Sequence, residues 1–384
     1  MEKGVKVTVV KEGMRSLARE VKDLAHGGRV FLFAEEGRTG EDAQAALTFE
    51  GMQVIKRVLP EKISGDLFCE VQQMPEGIMA VVGVGGCLPI EAAKAARLPG
   101  TVPKILFSTE FSALSASDER VFLGTKSDLP SGRSTGHLLF LDPTMIASSP
   151  LRPGLGYLAA HFVEEADGIY ENLILKGENP AGALRALKEK ARVLASVREE
   201  NAAEDLSKAA LSMLKSRIDA PRADSAHTLA LLAAKKLGGV FPDYLFPAAY
   251  ALLRLYVTYL SSLPLEHCPP PDRAENLRLL SAKCGLSSSL LHRRQKPYAE
   301  EYDKRWRLTA EYREDFLEAV GEEAMPLSAL SRLYRRAPQE KPHSSLSASN
   351  LLMLLSLTGE AVSGYPLIKH IKMTGLIEPL LKCG

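Results

Sequence analysis

The stretch GIMAVVGVGGCLPIEAAKAAR at 77–97 carries residue types whose order suits the binding of an anion. An apolar run leads into Gly83, Gly85 and Gly86, and an alanine-rich segment follows. A strand, a glycine turn and a helix in that order bring unpaired N–H groups and the positive end of a helix dipole to one point. The missing Cβ atoms let a phosphate reach the backbone. The chemistry this predicts is the pyrophosphate of a dinucleotide, NAD or NADP, with Gly83, Gly85 and Gly86 as its cradle. Cys87 would then stand beside the pyrophosphate at a helix N-terminus, where a thiol pKa tends to fall. A small apolar filler is the plainer reading of Cys87, and a tight turn without ligand is the plainer reading of the glycines.

Alternating elements must position that turn. VKVTVV (5–10), RVFLFAE (29–35), DLFCEV (66–71), GIMAVVGV (77–84) and KILFST (104–109) read as strands. Met14–Ala25, Glu41–Leu59 and Ile90–Leu98 read as helices, the second with Ala43, Leu47, Val54 and Val58 on one face. VFLG (121–124) and HLLFLDP (137–143) read as a later strand pair. This rhythm predicts an α/β domain with a doubly wound parallel sheet. Beyond Asp142-Pro143, apolar spacings of three and four dominate in Leu158–Val163, Ala181–Val197, Leu206–Ile218, Leu229–Leu237, Ala248–Leu260, Phe316–Val320 and Leu351–Leu357, and predict an all-α second domain. The expected division is 1–147 and 148–384, with CPPPD (268–272) a stiff linker between helices.

Bulk properties narrow the function. The 384 residues, 46% of them hydrophobic, suffice for two packed domains, and the net charge of +1 makes no case for nucleic acid or an anionic membrane. Five scattered cysteines without a CxxC indicate neither a disulfide framework nor a zinc knuckle, so a cytoplasmic location is expected. Tyr244–Leu263 contains Pro247 and Arg254 and reads as a core helix, not a membrane span.

GVGGCLPIEAAK resembles the turn of the iron-dependent alcohol dehydrogenase and dehydroquinate synthase superfamily, near G-x-G-[GS]-[GST]-x-x-x-D-x-x-K. Gly83, Gly85, Gly86 and Lys94 match, Cys87 stands where a third glycine is common, and Glu91 replaces the aspartate. FSTEFSALSASD (107–118) lies where that family has a Ser-rich, nicotinamide-facing loop, which makes Ser108, Thr109 and Ser112 cofactor candidates. PLRPGLGYLAAHFVEEAD (150–167) is most similar to glycerol-1-phosphate dehydrogenases. The resemblance covers about residues 1–260 in layout, with no single motif intact.

The family holds zinc or iron with one carboxylate and two histidines, and the metal polarises the substrate oxygen. The carboxylate position is Tyr157 here, the first histidine is His227 in SAHTLALLAAKKLG (225–238), and Phe246-Pro247 replaces a His-Gly pair. A catalytic metal needs about three protein ligands. The resemblance therefore implies a metal that is absent or weakly held. A rebuilt site of His161, His227 and a carboxylate from Glu164, Glu165 or Asp224 is the rival expectation. The plainer one makes His161 and His227 satisfied polar residues. Tyr157 could act as an acid only if a neighbour lowered its pKa.

The basic clusters at 292–296, 304–307 and 332–336 are interleaved with acids and read as a solvated helix face, with Trp306 and Tyr334 as packing residues. The function the resemblance implies is an NAD(P)-dependent oxidoreductase acting on a small polyol or polyol phosphate, with His227, His161 and Tyr157 as site residues and a homodimer allowed. A pseudoenzyme of the same fold, binding nucleotide or a partner, is the first alternative. A dehydroquinate-synthase-like cyclase is the second.

Overall fold

The computed structural model describes residues 5–9, 13–60, 67–99, 101–111, 116, 120–121, 132–133, 137–215, 224–238, 241–263, 282, 302–321, 327–337, 347–362 and 364–383. The chain forms two compact units. One comprises Met1–Pro150 with Leu206–Leu214, and the other Leu151–Asp205 with Lys215–Gly384. The boundary thus falls a little after the expected one. The return of Leu206–Leu214 to the first unit was not anticipated. Within that unit Ser207 Oγ donates to Pro143 O at 3.2 Å.

The first unit is built on β1 (Val5–Val9), β2 (Arg29–Glu35), β3 (Gln53–Leu59), β4 (Ile78–Gly85), β5 (Lys104–Ser108), β6 (Arg120–Val121), β7 (Gly132–Arg133) and β8 (His137–Leu141). Its first helices are α1 (Met14–Ala25), α2 (Arg38–Phe49), α3 (Leu67–Val71) and α4 (Cys87–Ala95). Six strands pair in the order β1-β8-β5-β4-β2-β3, and every pairing in that sheet is parallel. A sheet covered on both faces needs strands that are apolar throughout, and the five central residues of β2 are all buried. Leu17 and Val21 of α1 and Leu47 of α2 join Val30, Leu32, Val82 and Phe107 in the core.

Three expectations fail here. The helix expected over 41–59 is α2 followed by β3, because Gly51 turns the chain at φ 86° and Gln53–Leu59 then pairs with β2 from Arg29↔Gln53 to Glu35↔Leu59. Of the strand expected over 66–71, the described residues Leu67–Val71 form instead the short helix α3, since the sheet edge beside β2 is already taken by β3. The segments at 121 and 137–143 do not pair with each other among the described residues. β6 pairs antiparallel with β7, and β8 inserts between β1 and β5.

The second unit is helical among its described residues. Its long elements are Leu151–Lys176, Ala181–Ala195, Ser225–Leu237, Phe241–Ser261 and Ala348–Ala361, joined by shorter helices such as Tyr302–Glu311, Leu327–Arg336 and Leu367–Thr374. The linker expected at 268–272 and the basic cluster at 292–296 lie outside the described residues. The solvated-face expectation fails at Arg305, which is buried and stacks on Tyr365 with its guanidinium 4.3 Å from the ring centre. Among the described residues no helix is long and apolar enough to cross a membrane.

Candidate functional site

Parallel register places the ends of three neighbouring strands together. Glu35 closes β2, Gly85 closes β4 opposite Ser108, and Ser108 closes β5. Ligands of open α/β sheets bind outside such carboxyl ends. The glycines there have separate duties. A Cβ on Gly83 would lie 2.6 Å from Pro89 O and 2.8 Å from Ala93 Cβ, so this glycine lets α4 pack against β4. Gly85 sits at φ +130°, a conformation that side chains rarely allow. Gly86 precedes α4 and offers its N–H at the helix N-terminus.

That N–H is already engaged. Glu35 accepts it, which holds the Glu35 carboxyl down, but burial outweighs the bond and raises its pKa above the usual carboxylate value. A Cβ at Gly86 would lie 2.7 Å from Glu110 Oε2 and 3.2 Å from Glu35 Oε1. Two carboxylates therefore line the turn. Glu110 is held there from the backbone. Thr109 N–H donates to Gly85 O at 3.2 Å, and Ser108 Oγ donates to Glu110 O at 2.8 Å.

Ser108 and Thr109 are buried tethers of this corner rather than open ligand contacts, and Ser112 lies outside the described residues. Cys87 opens α4 and is partly exposed. Lys94 is in the last turn of α4, the end away from the glycines, and its Nζ bonds Glu91 Oε1 at 2.8 Å with both side chains buried. Its backbone carbonyl accepts Lys104 Nζ at 2.7 Å, and burial followed by the Lys94 charge lowers the Lys104 pKa to about 8.

In the second unit the helix Leu151–Lys176 carries Tyr157, His161, Glu164, Glu165 and Asp167, all buried. Gly156 brings it close to Phe241–Ser261, since a Cβ there would lie 2.9 Å from Leu245 Cβ and 3.1 Å from Phe246 N. Tyr157 and His227 have ring centres 6.3 Å apart, and His227 also meets Phe241 at 5.6 Å. The three positions mapped from sequence, 157, 227 and 246, thus gather in one region.

Their chemistry there is already committed. Glu164 Oε1 lies 2.7 Å from His227 Nδ1 and also accepts the His227 backbone N–H at 3.1 Å. His161 Nε2 lies 3.3 Å from Glu165 Oε1, whose two oxygens each accept Lys190 Nζ at 2.6 Å. Phe246 stacks on Tyr334 at 4.4 Å between ring centres and 13° between planes. Pro247 lies inside its helix and has no N–H to give the carbonyl of Asp243 one turn back. The Tyr334 hydroxyl donates to that carbonyl at 3.0 Å. Phenylalanine offers no donor atom to a divalent metal, and each histidine faces a carboxylate. Among the described residues no group of three His, Cys, Asp or Glu is placed to hold a metal ion. The donor set does not fit the zinc or iron of the family, and the rebuilt site of His161, His227 and a carboxylate is not assembled among the described residues.

Asp167 lies deeper. It accepts from Ser225 Oγ, from Tyr256 Oη at 2.9 Å and from the Leu367 N–H at 2.9 Å, joining four helices. Burial raises its pKa to about 7 against the pull of those three donors, with the Glu164 charge adding to the rise. Glu35, Glu110 and Asp167 had no part in the site expected from sequence. The Glu35-Glu36-Gly37 end of an apolar strand was the available signal for the first, and a lone acid in a Ser-rich loop gave none for the second.

This arrangement, a parallel-sheet unit followed by a helical unit, is the fold of the iron-containing alcohol dehydrogenases. The chain is similar to an iron-containing alcohol dehydrogenase from Thermotoga maritima at 15% identity, covering 100% of this chain and 99% of that one with a TM-score of 0.58. It is similar to a 1,3-propanediol oxidoreductase at 15% identity, covering 98% and 97% with a TM-score of 0.56. For a glycerol dehydrogenase from Schizosaccharomyces pombe the identity is 19%, the coverage 89% and 96%, and the TM-score 0.52. No family model matches the sequence, and no curated protein sequence matches it. The superfamily resemblance read from the motifs therefore holds at the level of the fold.

Proposed function

We propose that this chain is a nicotinamide-dinucleotide oxidoreductase of small alcohols, polyols or polyol phosphates among them, that handles its proton without a metal. The observation that carries the reading is the 2.7 Å contact of His227 Nδ1 with Glu164. A carboxylate at Nδ1 keeps the proton on that nitrogen and makes Nε2 the basic one, the orientation a general base needs. A bound nicotinamide would supply the hydride acceptor. His227 Nε2 would take the hydroxyl proton, Glu164 would steady the imidazolium that forms, and the Gly85-Gly86 backbone would receive the pyrophosphate. Support comes also from the fold, shared with proteins described as alcohol and glycerol dehydrogenases.

The test is a nicotinamide-absorbance assay with NAD and NADP over glycerol, 1,3-propanediol and glycerol-1-phosphate, before and after chelation. Turnover should survive the chelator. His227→Asn should lower kcat roughly 10²–10⁴-fold, the usual worth of a positioned base. Turnover lost on chelation would overturn the metal-free mechanism. Dinucleotide binding without turnover on any alcohol would favour the second reading, a non-catalytic protein of this fold, for which the Phe246–Tyr334 stack at a ligand position is the specific support.

A further inference from the structure

The helices around His227 differ in how firmly they are held. Tyr157, His227, Phe241 and Phe246 are each at most 4% exposed, so an alcohol reaches the imidazole only if a wall of this region moves. Three of the walls are tightly joined. Leu151–Lys176 buries 20 of its 26 residues. It meets Phe241–Ser261 at Gly156 with no room for a Cβ, and its Asp167 bonds Ser225 at the start of Ser225–Leu237 and Tyr256 of Phe241–Ser261. The fourth wall is Leu327–Arg336, which reaches the region through Tyr334, stacked on Phe246. It buries only Leu327, Leu330 and Tyr334 of its ten residues. Elements with little buried apolar surface are the ones that open locally at the lowest free energy.

The fastening of this helix is concentrated at its last turn. The Tyr334 ring has Phe246 at 4.4 Å between ring centres and the Arg152 guanidinium at 4.8 Å from its centre. Arg152 Nε donates to Ala337 O at 2.8 Å and Nη2 donates to Arg335 O at 3.4 Å, serving carbonyls that a helix end leaves without donors. Arg336 adds an exposed pair with Glu199 at 2.5 and 2.6 Å. A stack, a cation over a ring and bonds to carbonyls can all break and re-form without unfolding the long helices. We propose that Leu327–Arg336 is a lid over the His227 region, that it opens by lifting Tyr334 off Phe246, and that Arg152 is its latch. This rests on the reading of His227 as the base an alcohol must reach. With Tyr334 lifted, Phe246 loses its cover. The way past Phe246 leads to Tyr157 and His227, because Gly156 sets the backbone of 246 against the turn that carries Tyr157.

The experiment is peptide-resolved modification of the histidines by diethyl pyrocarbonate near neutral pH, on the full chain as wild type, Arg152→Gln and Tyr334→Leu. His26 is exposed and reports the reagent, and His370 is buried among aromatic rings and reports general loosening. The expected result is His227 modified roughly tenfold faster in each variant, the change in an opening equilibrium when one hydrogen-bonded group of ordinary worth is lost. His26 and His370 should react alike in all three proteins. Arg152→Gln changes a half-buried side chain and keeps the lid testable if Tyr334→Leu does not fold. An unchanged His227 rate in both variants, or no modification of His227 in any protein, would overturn the lid and leave the oxidoreductase reading to its own assay. Acceleration by Tyr334→Leu alone would overturn Arg152 as the latch. Equal acceleration at His370 would mean that the whole unit loosens, and would overturn the lid as well. Faster modification of His227 without turnover on any alcohol would keep the lid and overturn the base.

Discussion

The glycine turn of the first unit and the histidine region of the second are filled in different ways. At the turn the backbone keeps an open shape, with Gly85 at φ +130° and α4 starting directly after Gly86, and two side chains, Glu35 and Glu110, line it. In the histidine region the space itself is taken. Phe246 and Tyr334 stack, Tyr157 and Phe241 flank His227, and Glu164 and Glu165 face the imidazoles. Charge at a turn can be cancelled by one substitution that leaves packing alone. Aromatic filling cannot be removed without opening a cavity.

Stability measurements should separate the two. The largest effect is expected for Phe246→Ala, about 3–5 kcal/mol by chemical denaturation, because a buried ring and its stack are lost. A loss under about 1 kcal/mol would mean that the region collapses easily and that its filling is loose. Next is the triple variant Tyr157→Asp, Phe246→His, Pro247→Gly. Its apoprotein should melt below the wild type, and zinc at roughly 100 times its Kd should restore about 2.7 kcal/mol to the variant alone. An unchanged melting temperature with zinc would break the gathering of 157, 227 and 246 into one ligand set.

The pH dependence follows from two buried groups of opposite sense. Asp167 has its folded pKa raised to about 7, so its contribution is full below the unfolded value near 3.8 and is lost as pH rises towards 7. His370, buried among Tyr170, Tyr259, Tyr302 and Trp306, has its pKa lowered to about 3 by burial and by the Arg305 charge. Its contribution is full above 6.5 and is lost as pH falls towards 3. In the wild type the two slopes oppose each other between roughly pH 4 and 6.5. Asp167→Asn removes the first slope, so its unfolding midpoint should climb with pH across that window more steeply than the wild type's. Parallel curves for the two proteins would contradict the assignment to Asp167. The smallest effect belongs to Glu35→Gln, which keeps an oxygen for the Gly86 N–H and should shift stability by no more than about 1 kcal/mol. A loss above about 2 kcal/mol would make the Glu35 charge itself a structural need and blur the contrast with the aromatic region.

The sequence made the sheet and the turn readable because buried parallel strands are apolar throughout and glycines mark the turn. It misled at 41–59, where Val54 and Val58 sit four apart as on a helix although Gly51 has already broken the chain and their strand pairs with β2. Tyr157, His227 and Phe246 were readable as a set only through the superfamily resemblance, which maps them onto ligand positions. What occupies them was not. The tie between Pro247 and Tyr334 spans 87 positions, and the placing of Glu110 depends on backbone bonds from Ser108 and Thr109 that residue types do not announce.

Tyr334 also bears on how this region can change over generations. Its ring lies on Phe246, and its hydroxyl serves the Asp243 carbonyl that Pro247 leaves without a helical donor. Substituting Phe246 alone strips the ring of its stacking partner. Replacing Tyr334 alone uncovers both the Phe246 ring and the Asp243 carbonyl. Positions 246, 247 and 334 therefore form one mutational unit with strongly non-additive costs. A lineage carrying this trio meets a stability barrier at a single-residue step away from Phe246 or Tyr334, so the aromatic filling works as a ratchet, easier to keep than to reverse.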